Sequence, residues 1–254
     1  MKWNKEEIVR LKELYYHGIL VQEIAYKLKK STGAIEGKLR FLAIRRNRSV
    51  SKLKLPSKIT PALARIHAHI CGDGNLFKYR EKDCYGYLGC YKPNSYRERY
   101  GIGYTNMNQR LIREFMEDIK STFFIKPLYY NNYVKVKSKD IWMLLKDLGA
   151  GRSRDWFISP KIIKANKEIK KHWIRAFFDD EACFNDGGRI RVRSVNRRSL
   201  TQVMQMLKEF APCHITPKEK YYPDGSIYLN INKGDTEKYF SKIGSLRYRN
   251  NKNN

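Results

Sequence analysis

The spacing of apolar residues predicts three short helices within residues 1–46. Apolar positions recur every three or four residues in the first helix, which His17 and Gly18 end. A second helix is predicted over residues 21–28, and Ser31 is a good N-cap for a third. Two short helices, a tight turn and a further basic helix have the layout of a helix-turn-helix unit. A generic three-helix bundle is the alternative interpretation of this segment.

The chain after this segment contains an internal duplication. Residues 47–58 are polar and basic without sustained periodicity, which predicts a linker. From residue 59 to about 244, each copy has a helix ending in an acid, two strands, a helix opened by Asn, two more strands and a closing helix. The matched segments are the opening helices 61–74 and 167–182, the residues Asn106 and Asn196, the strand pairs 127–136 and 217–231, and the closing pairs Leu148-Gly149 and Ile243-Gly244.

This duplication predicts an α+β fold with two pseudo-symmetric αββαββα halves, preceded by the small three-helix domain. The predicted domains are therefore the helix-turn-helix domain over 1–46, the linker over 47–58 and the two halves over 59–150 and 151–254. The stretch between the acid and the Asn is longer in the first half. We expect an inserted hairpin there, around residues 79–100.

Small residues line one side of each opening helix. Ala64, Ala68 and Gly72 recur every four residues, and Ala176 and Asp180 occupy the matching positions of the second helix. A ridge with almost no side chain lets another helix approach closely. We therefore expect the two opening helices to cross along these ridges.

Such a crossing would place Asp73 and Glu181 side by side at one end of the helix pair. Two close carboxylates repel each other unless a cation lies between them. Magnesium favours carboxylate oxygens and retains water ligands, so it fits such a pair. Metal ions between an attacking water and a leaving oxygen are a standard arrangement for phosphodiester cleavage.

The charge of the chain points to a polyanionic partner. Lys and Arg number 52 against 25 Asp and Glu, a formal net charge of +27. Like charges of this number repel one another in the folded state, and nucleic acid offsets that repulsion because binding releases its counterions. An acidic membrane surface, or a basic soluble protein without such a partner, is the alternative.

Other classes of protein find little support in the sequence. No run of 18 apolar residues and no signal-type start is present, so we expect no membrane association and a cytoplasmic (nucleoid-associated) or organellar protein that is not secreted. An odd number of cysteines without a CxxC pair favours a reducing compartment over a zinc ribbon or disulfide framework. His67 and His69 are two apart on a helix and should face different ways, which argues against a metal pair.

Basic residues alternate with apolar residues along the predicted strands. Arg191 lies between Ile190 and Val192, so one face of that strand is apolar and the other basic. Such faces suit contact with DNA grooves and phosphates. The candidate DNA-binding residues are Arg97, Arg99, Lys135, Lys137, Arg189, Arg191, Arg193, Lys218 and Lys220 in the strands, and Ser31, Thr32, Lys38 and Arg40 in the helix-turn-helix unit.

Two nine-residue segments resemble the paired motifs of a single-chain LAGLIDADG homing endonuclease. They are residues 66–74, Ile-His-Ala-His-Ile-Cys-Gly-Asp-Gly, and residues 174–182, Ile-Arg-Ala-Phe-Phe-Asp-Asp-Glu-Ala. The resemblance covers residues 59–244 and implies two four-stranded sheets that form a saddle over DNA. It also implies that Asp73 and Glu181 act at the scissile phosphates. Trp3 and the segments 23–25 and 31–35 resemble Myb-like helix-turn-helix units.

The resemblance further implies a set of residues around the acids. The backbone carbonyls of Gly72 and Asp180 would join Asp73 and Glu181 as metal ligands for Mg²⁺, with Mn²⁺ or Ca²⁺ able to replace it for binding. Asp180 departs from the small residue usual there, and its carboxylate could point to solvent or change the metal spacing. Ala182 replaces the usual final Gly. The further catalytic candidates are Lys137, Lys233, Asn106 and Asn196, although either Asn could instead serve only as an N-cap.

These observations together predict a monomeric, Mg²⁺-dependent homing endonuclease that cuts double-stranded DNA at a long, asymmetric site. Two alternatives of the same fold remain open. One is a maturase that binds intron RNA, and the other is a catalytically inactive DNA-binding regulator. Retention of both acids speaks against the regulator.

Overall fold

A computed structural model describes residues 3–16, 19, 21–42, 44, 53–82, 96–184, 188–216 and 223–248. The chain divides into two compact units, Met1–Leu53 and Lys54–Asn254. Among the described residues, no helix combines the length and apolar character that crossing a bilayer requires. The predicted DNA contacts Lys218 and Lys220 lie outside the described residues.

The first unit is built from three helices, α1 (Lys5–Tyr16), α2 (Val21–Lys27) and α3 (Thr32–Phe41). Ser31 caps α3, since its hydroxyl accepts a hydrogen bond of 3.2 Å from the amide of Ala34. Leu11, Ile24 and Ile35 are fully buried and form a core of this unit's own residues. The helices thus lie where the apolar periodicity predicts them.

The second unit contains two mixed halves with the same order of elements. The first half comprises α4 (Pro61–Cys71), β1 (Gly74–Lys82), β2 (Tyr96–Thr105), α5 (Gln109–Phe123), β3 (Leu128–Tyr130), β4 (Tyr133–Val136) and α6 (Lys139–Asp147). A short helix α7 (Pro160–Ile163) precedes the second half. That half comprises α8 (Lys167–Glu181), β5 (Ala182–Phe184), β6 (Ile190–Ser194), α9 (Arg197–Leu207), β7 (His214–Ile215), β8 (Ile227–Ile231), the 3₁₀ turn Lys233–Asp235 and α10 (Thr236–Lys242).

Each half forms one antiparallel, four-stranded sheet. The strand orders are β1-β2-β4-β3 and β5-β6-β8-β7, so the two sheets share one topology. This arrangement confirms the predicted α+β architecture of two αββαββα halves. The first sheet has the longer hairpin, because β1 and β2 pair from Gly74 with Tyr104 out to Lys82 with Tyr96.

The strands present one apolar face to the helices and a polar face on the other side. In β4, Val134 and Val136 are buried, while Lys135 lies on the opposite face. In β6, Ile190 and Val192 are buried in the same way, and the Arg residues between and after them lie on the other face. The predicted alternation of these two strands is therefore confirmed.

Helices α4 and α8 pack against each other at the centre of the second unit. Ala64, Ala68 and Ala176 on the small-residue ridges are all fully buried. A Cβ atom added to Gly72 would lie 2.9 Å from the Cβ atom of Asp180, which explains the glycine at this position. The backbones approach as the ridge pattern predicts.

Candidate active site and nucleic-acid face

The paired ends of α4 and α8 bring two carboxylates together. Asp73 follows Gly72, the C-cap of α4, and Glu181 is the last residue of α8. Burial, Asp73 and Asp180 together raise the pKa of Glu181 to about 7. Burial and the charge of Asp180 raise the pKa of Asp73 to about 6. The site therefore concentrates negative charge where the solvent screens it poorly.

Asn106 belongs to this site, whereas its counterpart Asn196 does not. The Asn106 amide donates hydrogen bonds to the carboxylates of Asp73 (2.8 Å) and Asp180 (3.3 Å). Asn196 is buried and caps α9, and its amide donates to the carbonyl of Trp156 at 2.8 Å. The structure thus separates two residues that the duplication had matched, and the cap role falls to Asn196 alone.

Asp180 turns inward and pairs with a histidine, so the first of the two expectations, a carboxylate that points to solvent, is wrong, and a changed metal spacing stays a prediction. Its side chain is fully buried, with one oxygen 2.8 Å from Nδ1 of His69. The other oxygen accepts a hydrogen bond of 2.7 Å from the hydroxyl of Tyr104. Although burial disfavours a charged imidazole, pairing with Asp180 raises the pKa of His69 to about 9. The extra acid is therefore neutralised inside the helix interface.

The two motif histidines have different environments, as their spacing predicts. Nδ1 of His67 accepts a hydrogen bond of 2.9 Å from the indole of Trp173. Burial lowers the pKa of His67 to about 4, so this side chain is neutral. His69, in contrast, is charged and joins an ionic network.

That network continues from His69 across both halves. Nε2 of His69 lies 3.7 Å from the carboxylate of Glu114, which pairs with Arg175 at 2.6 Å. Arg175 also pairs with Asp179 at 3.0 Å. Burial opposes its charge, but His69 and Arg175 lower the pKa of Glu114 to about 2. Alternating charges from α4, α5 and α8 therefore connect the two halves beneath the site.

A segment after α10 closes over the end of α8. The carboxylate of Asp179 accepts hydrogen bonds from the backbone amides of Leu246 (3.1 Å) and Arg247 (3.3 Å) and from the hydroxyl of Ser245. The Nη1 group of Arg247 donates to the carbonyls of Asp179 and Asp180, each at 3.3 Å. A guanidinium thus lies at a carbonyl that the resemblance implies as a metal ligand. The sequence-based candidates did not include Arg247.

The two predicted lysines are both exposed. Lys137 is exposed just after β4, and Lys233 is exposed at the start of the 3₁₀ turn with its stem beside Gly188. Within the described ranges, neither ammonium forms an ion pair with Asp73 or Glu181.

The carboxylates fit a hard cation that takes its other ligands from elsewhere. The two acids have raised pKa values and lie beside a cavity of about 370 Å³ that Gly72 and Glu181 line. They form an oxygen-rich site that a cation would stabilise. In the part of the chain that the structure describes, no group of three or more His, Cys, Asp or Glu side chains could hold a metal alone. Mg²⁺ suits such a partial set because it keeps waters and accepts phosphate oxygens.

The polar face of the second sheet carries exposed and half-buried cations. Arg189 precedes β6 and is exposed, and Arg191 has a buried Nε atom without a hydrogen-bond partner among the described residues. Arg193 pairs with Asp224 at 2.6 Å. The face of β6 itself is basic, as its alternation predicts, and the turn before β8 adds an acid beside it.

The polar face of the first sheet is similarly mixed. The ammonium of Lys135 lies 5.0 Å from the centre of the Phe77 ring, and Arg99 pairs with Glu81 at 2.5 Å. Arg97 on the same hairpin is exposed. Both faces combine cations, aromatic rings and a few acids, and their Arg–acid pairs can exchange partners because they are exposed to solvent.

In the first unit, the predicted DNA-binding residues lie on or next to α3. Thr32 is the first residue of this helix after the cap Ser31. Lys38 and Arg40 lie in its last turn, and the Lys38 ammonium is 4.9 Å from the centre of the Phe41 ring.

The second unit has the fold of homing endonucleases. One solved structure of this class, I-DmoI E117A in complex with its target DNA and manganese, has a TM-score of 0.54 at 18% identity. The match covers 73% of this chain and 94% of that chain. I-DmoI in complex with DNA and calcium has a TM-score of 0.52 at 17% identity, over 74% of this chain and 91% of that chain. No protein-family model and no curated protein matches the chain.

Proposed function

We propose that this protein is a divalent-metal-dependent DNA endonuclease of the LAGLIDADG homing type, active as a monomer on a long, asymmetric site. The observation that carries the proposal is the pair of carboxylates, Asp73 and Glu181, one from each half, at the joined ends of α4 and α8. Their raised pKa values mark a site that needs a cation. The homing endonuclease fold and the net charge of +27 support DNA as the substrate.

We assign a different role in cleavage to each residue of the site. Asp73 and Glu181, with the carbonyls of Gly72 and Asp180, would hold Mg²⁺, and a metal ion bound there would supply Lewis-acid activation of water and charge stabilisation at the phosphate. Asn106 donates to Asp73 and thereby fixes the orientation of this carboxylate. The exposed cations Lys137 and Lys233, one from each half, would contact the DNA backbone.

Substrate binding is assigned to the polar faces of both sheets and to the first unit. Arg189, Arg191 and Lys135 would contact phosphates and base edges, because guanidinium and ammonium groups suit both. We assign a helix-turn-helix role to the first unit, with α3 as the DNA-contacting helix. Asymmetry of the target follows from the different side chains of the two halves.

The decisive experiment measures cleavage of a randomised duplex library in Mg²⁺, with Asp73→Asn and Glu181→Gln proteins alongside. We expect the wild type to cut a discrete class of sequences and both variants to lose cutting, because each variant removes a negative ligand. Binding of the selected duplex should persist in both, since these isosteric changes also relieve repulsion. Tight binding without cutting in Mg²⁺ or Mn²⁺ would overturn the nuclease, and the comparison would then move to intron RNA.

A further inference from the structure

The segment after α10 is fixed by contacts that do not involve the Arg247 side chain. Asp179 accepts hydrogen bonds from the backbone amides of Leu246 and Arg247. On the other side, the Tyr248 hydroxyl donates to the carbonyl of Ala182 at 3.3 Å, and its ring packs 3.6 Å from that of Phe184, measured between centroids. The backbone at position 247 is therefore held whatever side chain it carries.

The Arg247 guanidinium lies at the end of α8, at the carbonyl of the residue before Glu181, and the residue is exposed. Its Nη1 group donates to the last free carbonyls of α8, at Asp179 and Asp180. The residue is exposed, and its charge lowers the pKa of Asp73 against the larger opposing effects of burial and Asp180. Five N–H groups in a planar fork leave most donors available for a phosphate.

The charges of Arg247 and of a second cation lower the pKa of Asp73, and Arg247 is the exposed one of the two. His69 is the other, but it is fully buried and paired with Asp180. Arg247 is thus the exposed one of these two cations.

The internal duplication gives this position a counterpart. Gly149 and Gly244 end the closing helices of the two halves, and an Arg follows three residues later in each case, at 152 and 247. Arg152 is exposed and lines a cavity of about 730 Å³ together with Gly72. Each half therefore carries an arginine from its closing segment toward the end of a motif helix.

We propose that Arg247 is a catalytic residue of the cleavage reaction, whose guanidinium donates hydrogen bonds to the non-bridging oxygens of the scissile phosphate beside Asp73 and Glu181. This inference rests on the nuclease function proposed above. A fork of N–H donors stabilises charge that grows on these oxygens as the attacking water adds. Because Arg247 lies at the end of α8 alone, it serves one of the two strand cuts more than the other.

The test uses the full-length chain on a supercoiled plasmid carrying a duplex selected from the library. Arg247→Ala should lower kcat on the order of a hundredfold at saturating protein, as removal of one such donor does elsewhere. Nicked plasmid should accumulate, because one strand is cut more slowly. Arg247→Lys should recover part of the rate by restoring the charge. Lys242→Ala on α10 is the matched control for loss of one positive charge in the same region.

The outcomes separate the inference from the function on which it rests. If the wild type cuts no duplex, both the nuclease function and the role of Arg247 are wrong. A wild type that cuts, with an Arg247→Ala protein that cuts both strands at the wild-type rate, removes only the role of Arg247. A purely structural role would instead lower the melting temperature and slow both strands equally, and this result would also overturn the assignment.

Discussion

At the scale of single residues, the site is defined by charges that the fold holds together. Asp73, Asp180 and Glu181 lie close enough to influence one another, and only Asp180 has a buried cationic partner. Such crowding is costly for the protein alone, and it is the usual origin of a cation site. The strain should be visible in the pH dependence of stability.

Without divalent metal, the contribution of Asp73 and Glu181 to the free energy of unfolding should fall as the pH rises from about 4 to about 7. The folded-state pKa values of Asp73 and Glu181, about 6 and about 7, lie above the ordinary values of 3.8 and 4.5. At these two carboxyl groups the folded protein therefore binds more protons than the unfolded chain in this window, so their deprotonation favours unfolding. Denaturation in EDTA at pH 5 and pH 7.5 measures the effect.

The double variant Asp73→Asn/Glu181→Gln serves as the comparison for this measurement. It retains His69 and every other titrating group, so the difference between the two proteins isolates the acids. We expect it to be the more stable protein at pH 7.5 and to gain nothing from added Mg²⁺. Identical pH profiles for the two proteins would contradict the assigned electrostatics.

The acids were open to prediction from the sequence, but their surroundings were not. A helix that ends in an acid occurs twice at matched positions, which identifies Asp73 and Glu181 without coordinates. The inward turn of Asp180 depends on His69 of the other helix, a long-range contact that no local pattern encodes. Arg247 could have been noticed in the sequence, because Arg152 and Arg247 each follow the glycine after a closing helix by three residues. Only the fold shows that Arg247 reaches the end of α8.

At the scale of elements, the contact between α4 and α8 is both the core of the second unit and the support of the site. Small residues let the helices approach, and the His69–Asp180 pair lies between them. A buried ion pair adds little net stability over an apolar pair, yet removal of one partner leaves a bare charge. The interface therefore depends on both members being present.

His69→Leu should destabilise the protein by about 3–5 kcal/mol, because Asp180 would remain buried without its cation. The double variant His69→Leu/Asp180→Ala should recover most of the lost stability, because it also removes the unpaired carboxylate. His67→Leu on the same helix is the matched control, since it removes a neutral histidine with one indole hydrogen bond. Its cost should be about 1–3 kcal/mol. Equal losses in the two single variants would show that His69 carries no charge in the fold.

Element positions followed well from the sequence because each half repeats one pattern. The strand alternation around Ile190 and Val134 and the order of helices and strands agree with the structure. The mixed polarity of the sheet faces was less accessible, since Glu81 and Asp224 come from neighbouring strands or turns. Pairing register, which decides such contacts, depends on tertiary structure.

At the scale of the whole molecule, two units with separate cores divide the chain. Leu11, Ile24 and Ile35 pack among residues of the first unit, so its removal takes no core residue from the second. If the first unit contributes only DNA contacts, the two activities can be separated by truncation.

A protein lacking residues 1–53 should bind the selected duplex more weakly but cut it at the full rate when saturating. The salt dependence of its binding should also be shallower, because fewer phosphates are neutralised. Affinity measured over a range of salt, together with single-turnover cleavage, tests both. The Lys38→Ala/Arg40→Ala variant of the whole chain should show a smaller loss of affinity and a smaller decrease in the salt dependence of binding. Loss of the saturating rate on truncation would show that the first unit supports catalysis.

The buried His69–Asp180 pair affects which halves can associate with each other. Positions 69 and 72 of the first half match Phe177 and Asp180 of the second. Two copies of the first half would place each His69 opposite Gly72 instead of an aspartate, and two copies of the second would bury two aspartates without a histidine. If expressed as separate chains, the halves would therefore select each other over themselves. The pair therefore contributes to the specificity of association between the halves. A half taken from another protein would need a carboxylate opposite His69, or a histidine opposite Asp180, to replace it.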